Sequence, residues 1–433
     1  MEVFKKRILT NGIFQVLRVR PFFLLMLSEF FSQLAFNMQH FVLIFIIYGF
    51  THSNTAVSGM LLSFMVPAVL FSVISGVYVD RWNKKKIILF AHLIRAILLL
   101  PFLIPNLHLG LIYTFTFLIA VVSQFLYPAE SSIVPQLAPK KLIVPANAVF
   151  SFAMFGIMLA GYILSGPVLL LLGKTYTIVF LIALFLISAF VVVKIKLSSK
   201  REKIQEKSYS AFHMHSIVRE VREVFVFIKR VKRVMHALLM ITIAQAVLFI
   251  FAVLAPGYVT TILAAPLETL SVILIAPAGI GLAIGAFLLG SIGKKLKHEL
   301  VSIVGFAIVG IVFILMPFTG RLVSYESVNS LNSFLPHIIN INVLHVIVIM
   351  AFIIGFGIAL VFIPSNSTIQ LETDEEMRGR MYGLLSSLVG AVSFLPVILA
   401  GGLADLFGVG AVIVTVGILM LIFSVSSLFL IKS

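Results

Sequence analysis

Two charged side chains stand where charge is expensive. Glu29 and Arg95 lie inside long apolar stretches of the 433-residue sequence. If those stretches cross a bilayer, each charge costs about 2.5–3.5 kcal/mol even on permissive insertion scales, so each is expected to face a polar cavity or a partner. A carboxyl held away from water can take up and release a proton, which makes Glu29 a candidate proton carrier. Its rival role is a side chain close enough to Arg20 to reach the headgroups. Arg95 reads as the deeper of the two, and pairs with His92, three residues earlier, or with Glu29. Gln33, Asn37, Gln39, Gln124 and Gln245 add polar atoms to the same kind of stretch, either lining a cavity or joining helices by hydrogen bonds.

Other chemistries fail on spacing. Gly173-Lys174-Thr175 has the end of a phosphate loop, but Val168 stands where its first glycine is required. His298-Glu299 is followed by Ser302 in place of the second histidine of a zinc-protease pair. No Gly-x-Ser-x-Gly elbow occurs, and with no Cys there is no disulfide framework or thiolate metal site. No enzyme activity, cofactor or metal is expected.

The elements that must position these residues follow from composition. At 61% hydrophobic and 11% charged, the chain has too little polar surface for a water-soluble domain. Apolar runs of about 20 residues, each enough to cross a hydrocarbon core, follow one another almost without pause. They are continuous rather than alternating, which favours helices over a β-barrel. The predicted spans are 22–49, 55–79, 87–104, 107–127, 143–172, 175–193, 234–263, 268–291, 299–317, 341–363, 379–404 and 408–431. The fold expected is an all-α membrane protein of twelve transmembrane helices in two pseudo-symmetric six-helix bundles.

Of the 32 Lys and Arg residues, all but Arg95, Lys174 and Arg321 fall at the termini or in loops on one side. The positive-inside rule places both termini in the cytoplasm, and the net charge of +16 then reflects topology and anionic headgroups rather than nucleic acid. The domains read as 1–193, a cytoplasmic linker 194–233, and 234–433. Within the linker, Ile217, Val221, Val224, Ile228 and Val231 recur by fours and threes among basic residues, the pattern of an amphipathic helix on the membrane surface. The halves echo one another: Gly76 to Lys85 matches Ala286 to Lys295, and Pro128-Ala129-Glu130-Ser131-Ser132-Ile133 matches Pro364-Ser365-Asn366-Ser367-Thr368-Ile369. Repeated halves of this kind build transporters. Both proline segments are predicted to follow their spans as loops.

The run Gly76-Val77-Tyr78-Val79-Asp80-Arg81-Trp82-Asn83-Lys84-Lys85 resembles the signature loop between the second and third helices of the major facilitator superfamily. Asn83 replaces a family glycine, a change that suits a left-handed backbone. The stretches Pro128 to Pro135, Asp374 to Arg380 and Ala400 to Gly408 are similar to the macrolide-efflux and enterobactin-exporter branch. Departures touch coupling: Tyr162, Leu170 and Leu171 occupy glycine positions of the antiporter signature around Gly166-Pro167, and His92 stands where that branch has Asp.

The resemblance implies a gate made of Gly76, Asp80, Arg81, Asn83, Lys84, Lys85, Glu130, Arg378 and Arg380. In it Asp80 meets the start of helix eleven, which Thr373 and Glu376 would cap. Glu130 pairs with Arg81 or is a solvated loop carboxylate. The pathway candidates are Glu29, Gln33, Asn37, His92, Arg95, Gln124 and Gln245. The implied function is a monomeric secondary transporter of the cell membrane, exporting small hydrophobic or amphipathic compounds by alternating access with proton coupling. Its partners are the substrate, protons and membrane lipids. A lipid or lysolipid flippase and a transport-inactive scaffold or sensor are the alternatives.

Overall fold

Backbone polar groups have no water to bind inside lipid, and an apolar segment that crosses it satisfies them by coiling. The computed structural model describes residues 12–196, 226–228, 230–292, 297–319 and 342–432, and among them every regular element is helical. A short α1 (Gly12–Leu17) precedes α2 (Arg20–Thr51), α3 (Asn54–Arg81), α4 (Lys84–Leu99), α5 (Leu109–Leu137) and α6 (Ile143–Val193). The second half holds α7 (Lys232–Gly257), α8 (Ala276–Ile292), α9 (His298–Leu315), α10 (Val343–Glu372), α11 (Glu375–Phe407) and α12 (Val409–Lys432).

Eleven helices among the described residues are long and apolar enough to cross a membrane, and one of them, Pro145–Val193, has 49 residues. At about 1.5 Å per residue that is more than twice what a crossing needs. It is broken at Gly173, whose φ of 69° and ψ of 173° are not helical. Only glycine takes up such a conformation without strain, so α6 supplies the expected fifth and sixth spans, and twelve crossings result.

Contacts divide the chain into two compact units, one of Met1–Leu43 with Leu62–Ala211, the other of Ile44–Leu61 with Phe212–Ser433. In the first, α4 packs on α5 and α6 around Phe22, Leu25, Val79, Ile88, Ile133 and Val192. In the second, α10 packs on α7, α8 and α9, and α12 on α9. There α8 and α10 meet backbone to backbone: a Cβ on Gly355 would collide with the Ala278 carbonyl oxygen, and one on Gly281 with that of Phe352. Small residues allow this approach, on which helix association in lipid depends. Ile228, from the linker, packs beside Val234, Ala237 and Ile369. Ile217, Val221 and Val224 of the expected amphipathic helix lie outside the described residues.

Several local expectations are corrected. The proline segments do not follow their spans as loops: Pro128 and Pro135 lie inside α5, and Pro364 inside α10. A proline removes the hydrogen bond that the carbonyl four residues before it would accept, and here each proline's own carbonyl takes a further bond from a hydroxyl one turn on. Ser132 Oγ donates to the Pro128 carbonyl at 2.7 Å, and Thr368 Oγ1 to the Pro364 carbonyl at 3.0 Å. The same bond at equivalent positions deepens the likeness of the halves. Asn83 is not left-handed; with φ −66° and ψ 109° it is the N-cap of α4, accepting from Lys86 N–H at 3.1 Å, which is the cap role asparagine suits best. Likewise α11 takes Asp374 as N-cap, without a side-chain capping bond, while Thr373 closes α10. The expected capping box at Thr373 is therefore one residue out of register.

Candidate functional site

The first unit buries a polar cluster among helices long and apolar enough to cross a membrane. Along α2, Glu29, Gln33 and Asn37 recur every fourth residue and so share one face. The Asn37 amide donates to the Gln33 carbonyl at 2.7 Å, and the Gln33 side chain hydrogen-bonds to Glu29. Glu29 retains 1% of its exposure, His92 none, Arg95 2% and Glu130 none. At such burial an ion loses nearly all its hydration, a penalty of several kcal/mol that only well-placed partners offset.

Arg95, carried by α4, finds part of that compensation. Its Nη2 donates to Ser123 Oγ at 2.6 Å and its Nη1 lies 3.4 Å from Ser32 Oγ. The guanidinium sits 4.6 Å from the Phe36 ring centre and 5.6 Å from that of Phe185, within cation–π range of both. His92 is held between Ser28 and Ser32, each at 3.4 Å, and its hydrogen bonds run to these serines rather than to Arg95. Ser28 in turn clasps α6, its hydroxyl 2.7 Å from Ser188 Oγ.

Glu130 is neither in a loop nor solvated. The continuation of α5 past Pro128 turns it inward, where its carboxyl meets that of Glu29, with Arg95 as the nearby opposite charge. Among the described residues, both Glu130 oxygens and Oε2 of Glu29 lack a hydrogen-bond donor. Two carboxyls and one guanidinium thus share a buried space, and Nε of Arg95 also lacks a hydrogen-bond partner there. Beside the cluster, His40 stacks at 3.9 Å on Phe64 and stands 6.5 Å from the Tyr162 ring. Gln124 and Gln245 are half-buried.

The signature loop is only partly in view. Gly76 lies within α3, and the side chains of Asp80, Arg81, Arg378 and Arg380 lie outside the described residues. Lys84 is buried, its Nζ 3.4 Å from the Val79 carbonyl at the end of α3. Lys85 Nζ donates to the Val193 carbonyl at 2.9 Å, a cation on the last turn of α6, where the helix dipole favours it. Sequence reasoning missed three groupings. Arg233 on α7 bridges Glu299 of α9 at 3.1 Å and Glu372 of α10 at 3.3 Å. Tyr382 donates to Asn366 Oδ1 at 3.2 Å, at the position in α10 that matches Glu130 in α5. Asp405 gathers Ser53, Asn54 and Thr55.

Comparison with known proteins agrees with this architecture. The MFS-type transporter YvqJ of Bacillus subtilis (strain 168) is 25% identical over 85% of this chain and 82% of its own. The MFS-type transporter YjbB of the same organism is 30% identical over 35% of this chain and 39% of its own. Among solved structures, the nucleoside transporter NupG superposes with a TM-score of 0.69 at 13% identity, covering 95% of this chain and 99% of that one. A POT family transporter in complex with 5-aminolevulinic acid gives 0.68 at 14%, covering 95% and 96%. At such identities the likeness shows the fold alone. The sequence model of the Major Facilitator Superfamily matches residues 25–394, and the chain belongs to that superfamily of membrane transporters.

Proposed function

We propose that this transporter exports small hydrophobic or amphipathic compounds from the cytoplasm, both termini inside, and that protons moving inward drive the export. The observation that carries the reading is the excess of buried carboxyls over cations: Glu29 and Glu130 face each other with Arg95 as the opposite charge beside them. Two ionised carboxylates have no hydrogen to share, and among the described residues neither Glu130 oxygen has a hydrogen-bond partner, so a proton on one of them would supply the donor the pair lacks. One proton also balances the cluster against Arg95. The cluster is then a place where a proton is held on one side of the cycle and given up on the other, with Gln33 and Asn37 extending the polar track along α2. The signature loop from Gly76 to Lys85, with Arg378 and Arg380, is our proposed inner gate, and Asp80 its central residue.

A susceptibility and uptake panel in cells expressing wild type, Glu29→Gln and Asp80→Asn tests the reading. Reduced accumulation of amphipathic drugs with wild type, lost with Glu29→Gln, is expected. Asp80→Asn should insert normally and transport at a changed rate. Equal accumulation with and without the protein across the panel would contradict export of this class.

A further inference from the structure

The carboxylate of Asp405, in the last turn of α11, accepts five hydrogen bonds from three consecutive residues. Ser53 Oγ donates at 2.6 Å and Thr55 Oγ1 at 2.7 Å. The Asn54 side-chain amide donates at 2.9 Å, and the backbone N–H groups of Asn54 and Thr55 at 2.8 and 3.0 Å. These residues open α3, where backbone N–H groups have no acceptor within the helix and the dipole favours an anion. Hydrogen bonds to an ionised acceptor are roughly twice as strong as neutral ones.

The surroundings are closely fitted. Ser58 Oγ donates to the Val397 carbonyl at 2.9 Å, and Tyr48 Oη lies 3.1 Å from Thr260 Oγ1. A Cβ on Gly257 would stand 2.8 Å from Asn54 Oδ1, and one on Gly401 2.8 Å from the Asn54 carbonyl oxygen. Through these contacts Ile44–Leu61, the tip of the α2–α3 hairpin, belongs to the compact unit of the C-terminal helices. Yet α2 and α3 continue into the other unit. A tip carried by helices of one unit and bonded within the other is what a two-state clasp requires.

We propose that Asp405 is a latch on the membrane face opposite the basic loops, holding that side shut and releasing the hairpin tip before the pathway opens there. The idea rests on the alternating-access reading above, and its test separates the two. The chain has no Cys, so a reporter pair can be placed without background. Gly49 and Gly402 have open space where a Cβ would project, and spin labels on Gly49→Cys with Gly402→Cys report the separation of the hairpin tip from α11 by pulsed electron resonance in lipid nanodiscs.

The latch predicts two distances in the otherwise wild-type protein. Asp405→Asn should raise the ratio of long to short about tenfold, equivalent to ~1.4 kcal/mol, and Ser53→Ala with Thr55→Val should shift it in the same direction. The paired variant keeps the carboxylate and decides the matter if Asp405→Asn fails to elute as folded protein. Two distances with an unchanged ratio in the folded variants would overturn the latch and leave alternating access standing. A single distance in wild type at every pH from 5 to 9 would overturn both.

Discussion

Replacing Arg95 with Met tests whether the buried cluster is an electrostatic unit. Methionine keeps most of the side-chain volume and its contacts with the Phe36 and Phe185 rings, which lie 4.6 and 5.6 Å from the guanidinium. Ser123 keeps a partner, because its hydroxyl already donates to the Ile119 carbonyl at 2.7 Å. What the variant removes is the cation beside Glu29 and Glu130, both of which are buried to 1% exposure or less. Removing one member of a buried charge group costs about 3–5 kcal/mol, mostly from the charge left behind. The assay is equilibrium unfolding in bicelles, with Glu130→Gln and Arg95→Met/Glu130→Gln completing a double-mutant cycle. If the reasoning holds, Arg95→Met loses about 3 kcal/mol or more, and the double variant recovers enough to give a coupling energy above about 1 kcal/mol. Additive losses, or an Arg95→Met variant within about 0.5 kcal/mol of wild type, as expected of an unremarkable surface site, would refute it.

Two further predictions concern the second unit. Gly355→Ala would drive a methyl into the Ala278 carbonyl, whereas Gly290→Ala meets open space; the first should cost about 1–3 kcal/mol as overpacking and lower the melting temperature, and the second should leave it unchanged. The Arg233 side chain is 66% exposed despite its two carboxylate partners, so Arg233→Gln should change stability by less than about 1 kcal/mol and leave the fold intact by circular dichroism.

Much of the fold was legible because lipid enforces simple rules. Continuous apolar runs announced the spans; even the break within α6 falls at Gly173-Lys174, between two predicted spans. The site was legible in part. Glu29 and Arg95 stood out because charge is rare in such runs, and the structure brings them together. Glu130 was misplaced because a proline often ends a helix, whereas α5 continues through Pro128 and Pro135 to Leu137. Asn83 was misread because asparagine serves both left-handed turns and N-caps, and the sequence does not say which. Asp405 was missed because its donors are some 350 residues away. The only local signal was Ser53-Asn54-Thr55, three good cap residues in a row before a predicted span.

Proton movement accompanying transport tests the central idea most directly. In proteoliposomes holding a pH-sensitive dye and an amphipathic cationic drug, wild-type protein should couple drug efflux to a matching pH change. Glu29→Gln and Glu130→Gln should each abolish uphill transport and the pH signal while retaining drug exchange down a gradient. Uphill transport with an undiminished pH signal in both variants would show that the carboxyl pair does not carry the proton.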